Sequence, residues 1–331
     1  VRVDMRYGNE GWTPMILARI TDLSFLFPQA AGAQLTLKGE DLLSLLKAKP
    51  AADKVYTDKQ EIEMVEEELR VSASNLSLAS PRPTSPFPTP LRTLTHEKAK
   101  TYQQFIESLA ERMDYELFVE FDDVSPTQGQ NAAARTVSLH FEPARSGTLG
   151  DPITLRRGRD IIDFKPTFKV WDVLTQATAQ GTVPGRRASY SVEVTMADAI
   201  AGDLHAAPDG GATPLTAIEA RNRAFGSETR PEANAEPISA ANLDEDRARL
   251  QAIAALRKSA RQFLTADVTT IGFTGLRPGI HVNLSGLYAP FDGVYYVTTA
   301  VHTLSAEGKG FTTKCSLRRP GMLDPSAYPG G

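Results

Sequence analysis

The sequence predicts a mainly β protein with an α+β insert, and three observations carry that prediction. The stretch Leu276–Arg319 alternates apolar with polar residues and is interrupted by tight-turn dipeptides. A helical segment, Thr101–Met113, passes directly into alternating sequence at Tyr115–Phe121. Residues 1–50 read as successive strands. Period-two alternation broken by Asp-Gly and Gly-rich turns marks antiparallel sheet, and 331 residues suffice for two domains with real cores.

In chain order, strands are expected at Val1–Tyr7, Met15–Phe25 and Gln34–Lys38. An acidic helix should follow from about Asp58 to Arg70. Ile62, Val65 and Leu69 share its apolar face, while Glu61, Glu63, Glu66, Glu67 and Glu68 read as a solvated charged face. Five prolines between Pro81 and Pro90 impose an extended loop. Thr101 and Gln104 then have capping-box spacing, with Tyr102, Phe105, Ile106, Leu109 and Met113 at helical intervals behind them. The alternating runs at Tyr115–Phe121 and Val137–Phe141 add a hairpin, which makes helix and hairpin a small α+β insert.

A second β domain is expected to begin near Ile153, run through Ile161–Trp171 and add a half-buried strand with Tyr190, Val192, Val194 and Met196. Residues 200–241, rich in Ala, Gly, Pro, Asp and Glu, read as a long polar loop. Asn242 and Glu245 read as the cap of a helix continuing to about Leu264, with Leu250, Ile253, Leu256 and Phe263 inward. Strands from Val268 to Arg319 follow. Within them Pro278-Gly279 and Asp292-Gly293 make turns, and Tyr295, Tyr296, Val297 and Val301 fill the two faces of one long strand.

Bulk composition excludes several classes of function. A net charge of -4 supplies no basic field for nucleic acid. The single cysteine, Cys315, cannot form an internal disulfide and sits on the apolar side of a strand, as a buried thiol would. The longest apolar run, Met15–Phe27, is broken by Arg19 and Asp22 and is too polar to span a bilayer as a helix. The five histidines, His96, His140, His205, His281 and His302, show no metal-ligand spacing. His140 and His281 lie on the polar sides of their strands and read as solvated. There is no P-loop and no G-x-S-x-G elbow. Acidic neighbours such as Asp122-Asp123 are adjacent in sequence rather than poised across a cleft. Arg156, Arg157 and Arg159 form the one dense basic patch, which reads equally as a partner surface or a charged strand end.

One resemblance goes further. The order R-P-G…G-L…F-D-G-V-Y-Y-V-T…V-H-T…F-T-T…L-R-R of the last segment resembles the closing barrel of the tail-hub proteins of contractile injection machines. These include the phage late control D proteins and the hub-like half of VgrG spikes. Q-L-T-L-K-G-E-D-L-L-S-L-L, Gln34–Leu46, resembles their strand that ends one barrel and enters a helix. Thr101–Val119 resembles their helix-then-strand element, and L-R-R-G-R-D-I-I-D-F-K-P, Leu155–Pro166, the lead-in to their second barrel.

The resemblance implies two antiparallel β-barrel-like domains of the tail-hub type. Residues 1–50 would be the C-terminal part of the first barrel, whose earlier strands are expected upstream of Val1. Residues 51–145 would be the helical and α+β insert, 146–320 the second barrel with its polar loop 200–241 and helix 242–264, and 321–331 a flexible tail. The residues it marks are structural rather than catalytic: Gly39, Asp41, Pro278, Gly279, Gly293, Tyr295, Tyr296, His302 and Arg319. His302 would be a hydrogen-bonding residue of the last hairpin.

The implied function is that of a baseplate hub without enzymatic activity, cofactor or metal. It would form a homotrimer that adapts a hexameric inner tube to a trimeric spike, with spike protein, inner tube protein and other baseplate components as partners, and neither nucleic acid nor stable membrane insertion. It would be assembled in the bacterial cytoplasm and then become part of a virion, secretion apparatus or phage-tail-like particle. Other readings stay open: the hub portion of a VgrG-like spike, a tail-associated cell-wall hydrolase, or a carbohydrate-binding β protein, for which only Trp12 and Trp171 could stack on sugar.

Overall fold

The computed structural model describes residues 1–5, 11–29, 32–80, 82–87, 90–121, 137–143, 152–169, 174–182, 189–200, 215–216, 235–239, 243–288, 291–305 and 310–322. The chain is mainly β and divides into two compact units, Val1–Glu142 and Pro143–Gly331.

The first unit opens with β1 (Arg2–Met5), β2 (Thr13–Leu26) and β3 (Gln34–Asp41), an antiparallel sheet in that order. β3 runs three residues past its expected end, to Asp41, whose Oδ1 accepts the Leu43 N–H at 3.1 Å and so caps a 3-10 helix, Leu42–Lys47. At Gly39 a Cβ would sit 2.9 Å from the Arg19 carbonyl oxygen, so the close approach of β2 and β3 there requires glycine.

β4 (Lys54–Lys59) pairs with β6 (Leu91–His96), and α1 (Glu61–Ser72) lies between them in sequence. α1 starts later than its composition suggested because Asp58, at φ 50°, still belongs to β4, and Gln60 with Glu63 forms the capping box. The expected box of Thr101 and Gln104 caps α2 (Tyr102–Met113), which ends at Asp114 in the left-handed region. β5 (Ser77–Leu78), β7 (Tyr115–Phe121) and β8 (Val137–Pro143) form a further sheet in the order β5-β8-β7. Ile62, Met64, Val65 and Leu69 of α1 are buried, as are Phe105, Ile106 and Leu109 of α2.

The second unit is built on β9 (Ile153–Arg156) and β10 (Ile161–Phe168). β11 (Gln176–Thr182), β12 (Ser189–Thr195), α3 (Met196–Ile200), β13 (Leu215–Thr216), β14 (Ala235–Ser239) and α4 (Glu245–Ala260) follow. The last strands are β15 (Leu264–Ile271), β16 (His281–Ser285), β17 (Gly293–Leu304), β18 (Phe311–Arg319) and β19 (Gly321–Met322). β13 and β14 lie within the stretch expected as polar loop; most of that stretch, the expected cap residue Asn242 and Trp171 fall outside the described residues. The N-cap of α4 is Asp244, whose Oδ1 accepts the Arg247 N–H at 2.8 Å.

Six strands form one sheet in the order β10-β15-β18-β17-β16-β9, every pair antiparallel except β16 with β9. Flat, its outer strands would stand about 24 Å apart at ~4.8 Å per strand. Yet β9 and β10 are consecutive in the chain, and the link through residues 157–160 reaches about 17 Å at most. The sheet must therefore curl, and Arg157 forms a bridge to Ile161 where the two outer strands meet. Leu155, Val268, Leu284, Tyr295, Val297 and Cys315 are buried in this unit. Burial pushes the Cys315 thiol up to about 11.

Candidate functional site

Among the described residues three places are candidates for function, the first being the link that closes the curled sheet. The Asp160 N–H donates to the Arg156 carbonyl at 2.8 Å, the Arg157 N–H to Ser285 of β16 at 2.9 Å, and the Ile271 N–H of β15 to the Asp160 carbonyl at 3.0 Å. The buried Asp160 carboxylate accepts the Arg156 N–H at 2.9 Å and the Arg159 Nε–H at 3.0 Å. The Arg159 guanidinium holds this carboxyl below the usual range, with the Arg156 N–H assisting against burial. Arg159 is thus committed internally. Arg156 and Arg157 are exposed, and among the described residues neither has a carboxylate within ion-pair reach. The Arg157 guanidinium lies 5.9 Å from the Tyr288 ring centroid, and that ring is 70% exposed.

The second place is the β1–β3 sheet. Register pairs Val3 with Ile16, Leu23 with Leu37 and Phe25 with Leu35, while Asp22 pairs with Lys38 and Ser24 with Thr36. Irregularities between Val3 and Asp4 and between Ile20 and Asp22 keep the apolar residues together on one face. Those six apolar residues are each between 38% and 64% exposed. Water faces a sheet surface of the kind that normally packs against another layer.

The third is a buried polar cluster that overturns the expectation that Glu61 and Glu68 belong to the solvated charged face of α1. Glu68 and His96 are both 0% exposed. The Tyr56 O–H donates to Glu68 Oε1 at 2.5 Å, and His96 Nδ1 lies 2.9 Å from the same oxygen. His96 Nε2 faces the Lys100 carbonyl at 3.2 Å, and Phe105 stacks on the imidazole with centroids 4.4 Å apart. Burial, then the hydrogen bond to Glu68, drives the Tyr56 hydroxyl far above the usual tyrosine range, so it serves as a donor. A carboxylate so enclosed cannot meet a substrate; it ties α1 to β4 and β6. Helical spacing contained the signal, since Glu61 and Glu68 are seven residues apart and flank the Ile62, Val65 and Leu69 stripe; both are buried.

The residues named from the sequence fall into separate groups. In the second unit, the Tyr295 hydroxyl donates to the Phe291 carbonyl at 2.8 Å and Arg319 Nη1 to the Asp292 carbonyl at 3.0 Å, which brackets the turn before Gly293. The Arg319 guanidinium lies 5.5 Å from the Tyr295 centroid. Pro278-Gly279 forms a turn with Gly279 at φ 86°, its N–H donating to Val297 at 2.9 Å. Tyr296 is buried beside it, edge-on to His281 at 5.3 Å. His302 Nε2 lies 3.0 Å from the Leu276 carbonyl and Nδ1 3.0 Å from Thr313 Oγ1, joining the 272–279 loop to the β17–β18 hairpin. Gly39 and Asp41 belong to the first unit and are not part of this grouping.

His281 is buried and His140 stacks on Phe118, so neither is the solvated strand residue that alternation suggested. Both faces of the sheet are covered at His281, and alternation cannot report that. Val301 is exposed where a filled face was expected. Among the described residues no three or more His, Cys, Asp or Glu side chains converge as metal ligands, and no helix is long and apolar enough to cross a membrane.

The fold is that of phage tail proteins and of tail-like components of type VI secretion. The tail protein from Neisseria meningitidis matches with a TM-score of 0.61 at 14% identity, over 96% of this chain and 84% of its own. The 43 kDa tail protein of prophage MuSo2 from Shewanella oneidensis matches at 0.60 and 12% identity, over 96% and 83%. An Escherichia coli type VI secretion component, described as structurally similar to the T4 tail proteins gp27 and gp5, matches at 0.52 and 11% identity, over 94% of this chain and 63% of that one. No protein-family model matches the sequence, and no curated protein matches it.

Proposed function

We propose that this chain is a structural hub of a contractile tail or phage-tail-like injection particle, with no catalytic role. The observation that carries the reading is a tail-protein fold extending over 96% of the chain in two separate tail proteins, rather than over one module. The motif order at Gln34–Leu46, Thr101–Val119, Leu155–Pro166 and Leu276–Arg319 supports it. So does the uncovered apolar face of β1–β3, a surface suited to burial in an assembly. In this reading three copies form a ring, and two similar barrels per copy offer near-equivalent contacts to a six-fold tube above and a three-fold spike below. Symmetry matching of that kind needs repeated surfaces within each chain.

A second reading, the hub portion of a larger VgrG-like spike, draws on the type VI component, of which this chain spans 63%. Native mass spectrometry of the protein co-expressed with its neighbouring spike and tube genes tests the proposal. A three-copy assembly retaining both partners is the expected result. A monomer that ignores both refutes it.

A further inference from the structure

Three arginines cluster where β9 enters the closing link of the curled sheet, and among the described residues only Arg159 is paired with a carboxylate. Arg159 is consumed by Asp160 at 2.9–3.0 Å. Arg156 and Arg157 flank the backbone bonds that pin the link to β15 and β16, so the sites they project from are rigid. Several cations elsewhere are engaged by acids of the same unit: Lys47 by Glu40, Lys54 and Lys59 by Glu67, Arg82 by Glu66, Lys314 by Asp267. Arg156 and Arg157 are adjacent, exposed and without such partners among the described residues, and the Arg157 guanidinium lies beside the exposed Tyr288 ring. Beside them the loop carrying Tyr288 is held by Asp292, which accepts the Gly286 and Leu287 N–H groups at 3.2 and 2.7 Å. Its ring remains 70% exposed. Arginine and tyrosine on a preorganised backbone are the residue types that dominate protein interfaces.

We propose that Arg156, Arg157 and Tyr288 form a docking site for a carboxylate-bearing surface of an adjoining protein subunit. The guanidinium fork pairs with carboxylates in a bidentate way, and the exposed Tyr288 ring adds apolar area beside Arg157. A nucleic acid fits less well, because the chain carries a net charge of -4 and two arginines make no extended basic track. The inference rests on the hub reading for the existence of the adjoining subunit.

The test compares wild type with Arg156→Glu/Arg157→Glu in the co-expressed assembly, by native mass spectrometry across a salt series. Both residues are exposed, so the thermal midpoint of the isolated chain should not move. The expected result is selective loss of one neighbour, with retention weakened about tenfold or more and the wild-type contact itself falling with salt. Arg157→Lys then permits zero-length carbodiimide coupling inside the particle, and Lys coupled to an Asp or Glu of another chain supports the site. Coupling only within its own chain overturns it. A double variant that assembles like wild type at every salt concentration overturns the inference and leaves the hub reading standing. A wild-type chain that retains no neighbour overturns both. A variant that instead loses only binding to a labelled DNA oligonucleotide overturns it in favour of nucleic acid.

Discussion

Tyr56→Phe isolates the buried cluster of the first unit because it deletes one oxygen and leaves the packing intact. The Tyr56 ring, stacked on Phe105 at 5.9 Å, stays where it is. What is lost is an O–H bond to a carboxylate with 0% exposure. Hydrogen bonds to charged groups are worth about 1.5–3 kcal/mol net. Compensation is small: among the described residues Glu68 Oε1 keeps His96 at 2.9 Å and Lys54 at 3.8 Å, and the buried Oε2 has no hydrogen-bond partner there. A loss of about 2 kcal/mol corresponds to roughly 30-fold faster exchange of the amides that open with this cluster. Hydrogen-exchange mass spectrometry of peptides from α1, α2 and β6 reads that directly. Glu68→Ala should cost more, about 3–5 kcal/mol, because it strands both Tyr56 and His96. The double variant should cost little more than Glu68→Ala alone. Tyr56→Phe within about 0.5 kcal/mol of wild type, together with additive double-variant costs, would refute the claim that this carboxylate anchors α1.

Other consequences follow from the second unit. Asp160→Ala removes the acceptor of the Arg156 N–H and the Arg159 guanidinium, and should destabilise the curled sheet by about 2–3 kcal/mol in urea unfolding. The wild-type contribution is present above the unfolded carboxyl value of 3.8 and disappears as pH falls through the depressed folded value, so the gap between wild type and variant should close in acid. Burial lowers the His302 imidazole below 6.5, the Leu276 carbonyl partly opposing; its contribution is complete above that pH and declines as pH falls through the folded value. The difference in thermal midpoint between wild type and His302→Gln should therefore shrink on acidification. Cys315, pushed up to about 11 by burial, should resist Ellman's reagent at pH 8 in the native protein and react fully in urea.

The sequence by itself determined the elements whose signal is local. Alternation placed β17 and β18, the Thr101–Gln104 box placed the start of α2, and Pro278-Gly279 placed a turn, because each depends on a few neighbouring residues. Resemblance, rather than chemistry, proposed Asp41, Tyr295, His302 and Arg319 as structural residues, and the folded chain supplies their hydrogen-bond partners. Tertiary structure decided what depends on non-local neighbours. Glu68 is buried because β4 and β6 bring Tyr56 and His96 over one side of α1, a fact that no count of charges along the helix contains. His281 is buried because both faces of its strand are covered, so its alternation with Val282 carried no information about water. The fate of the three exposed arginines turned on the closing link, where a buried carboxylate one residue away pairs with Arg159 and not with Arg156 or Arg157. Sequence reports the periodicity of a backbone; burial and partnership are properties of the space between elements, which only the folded chain defines.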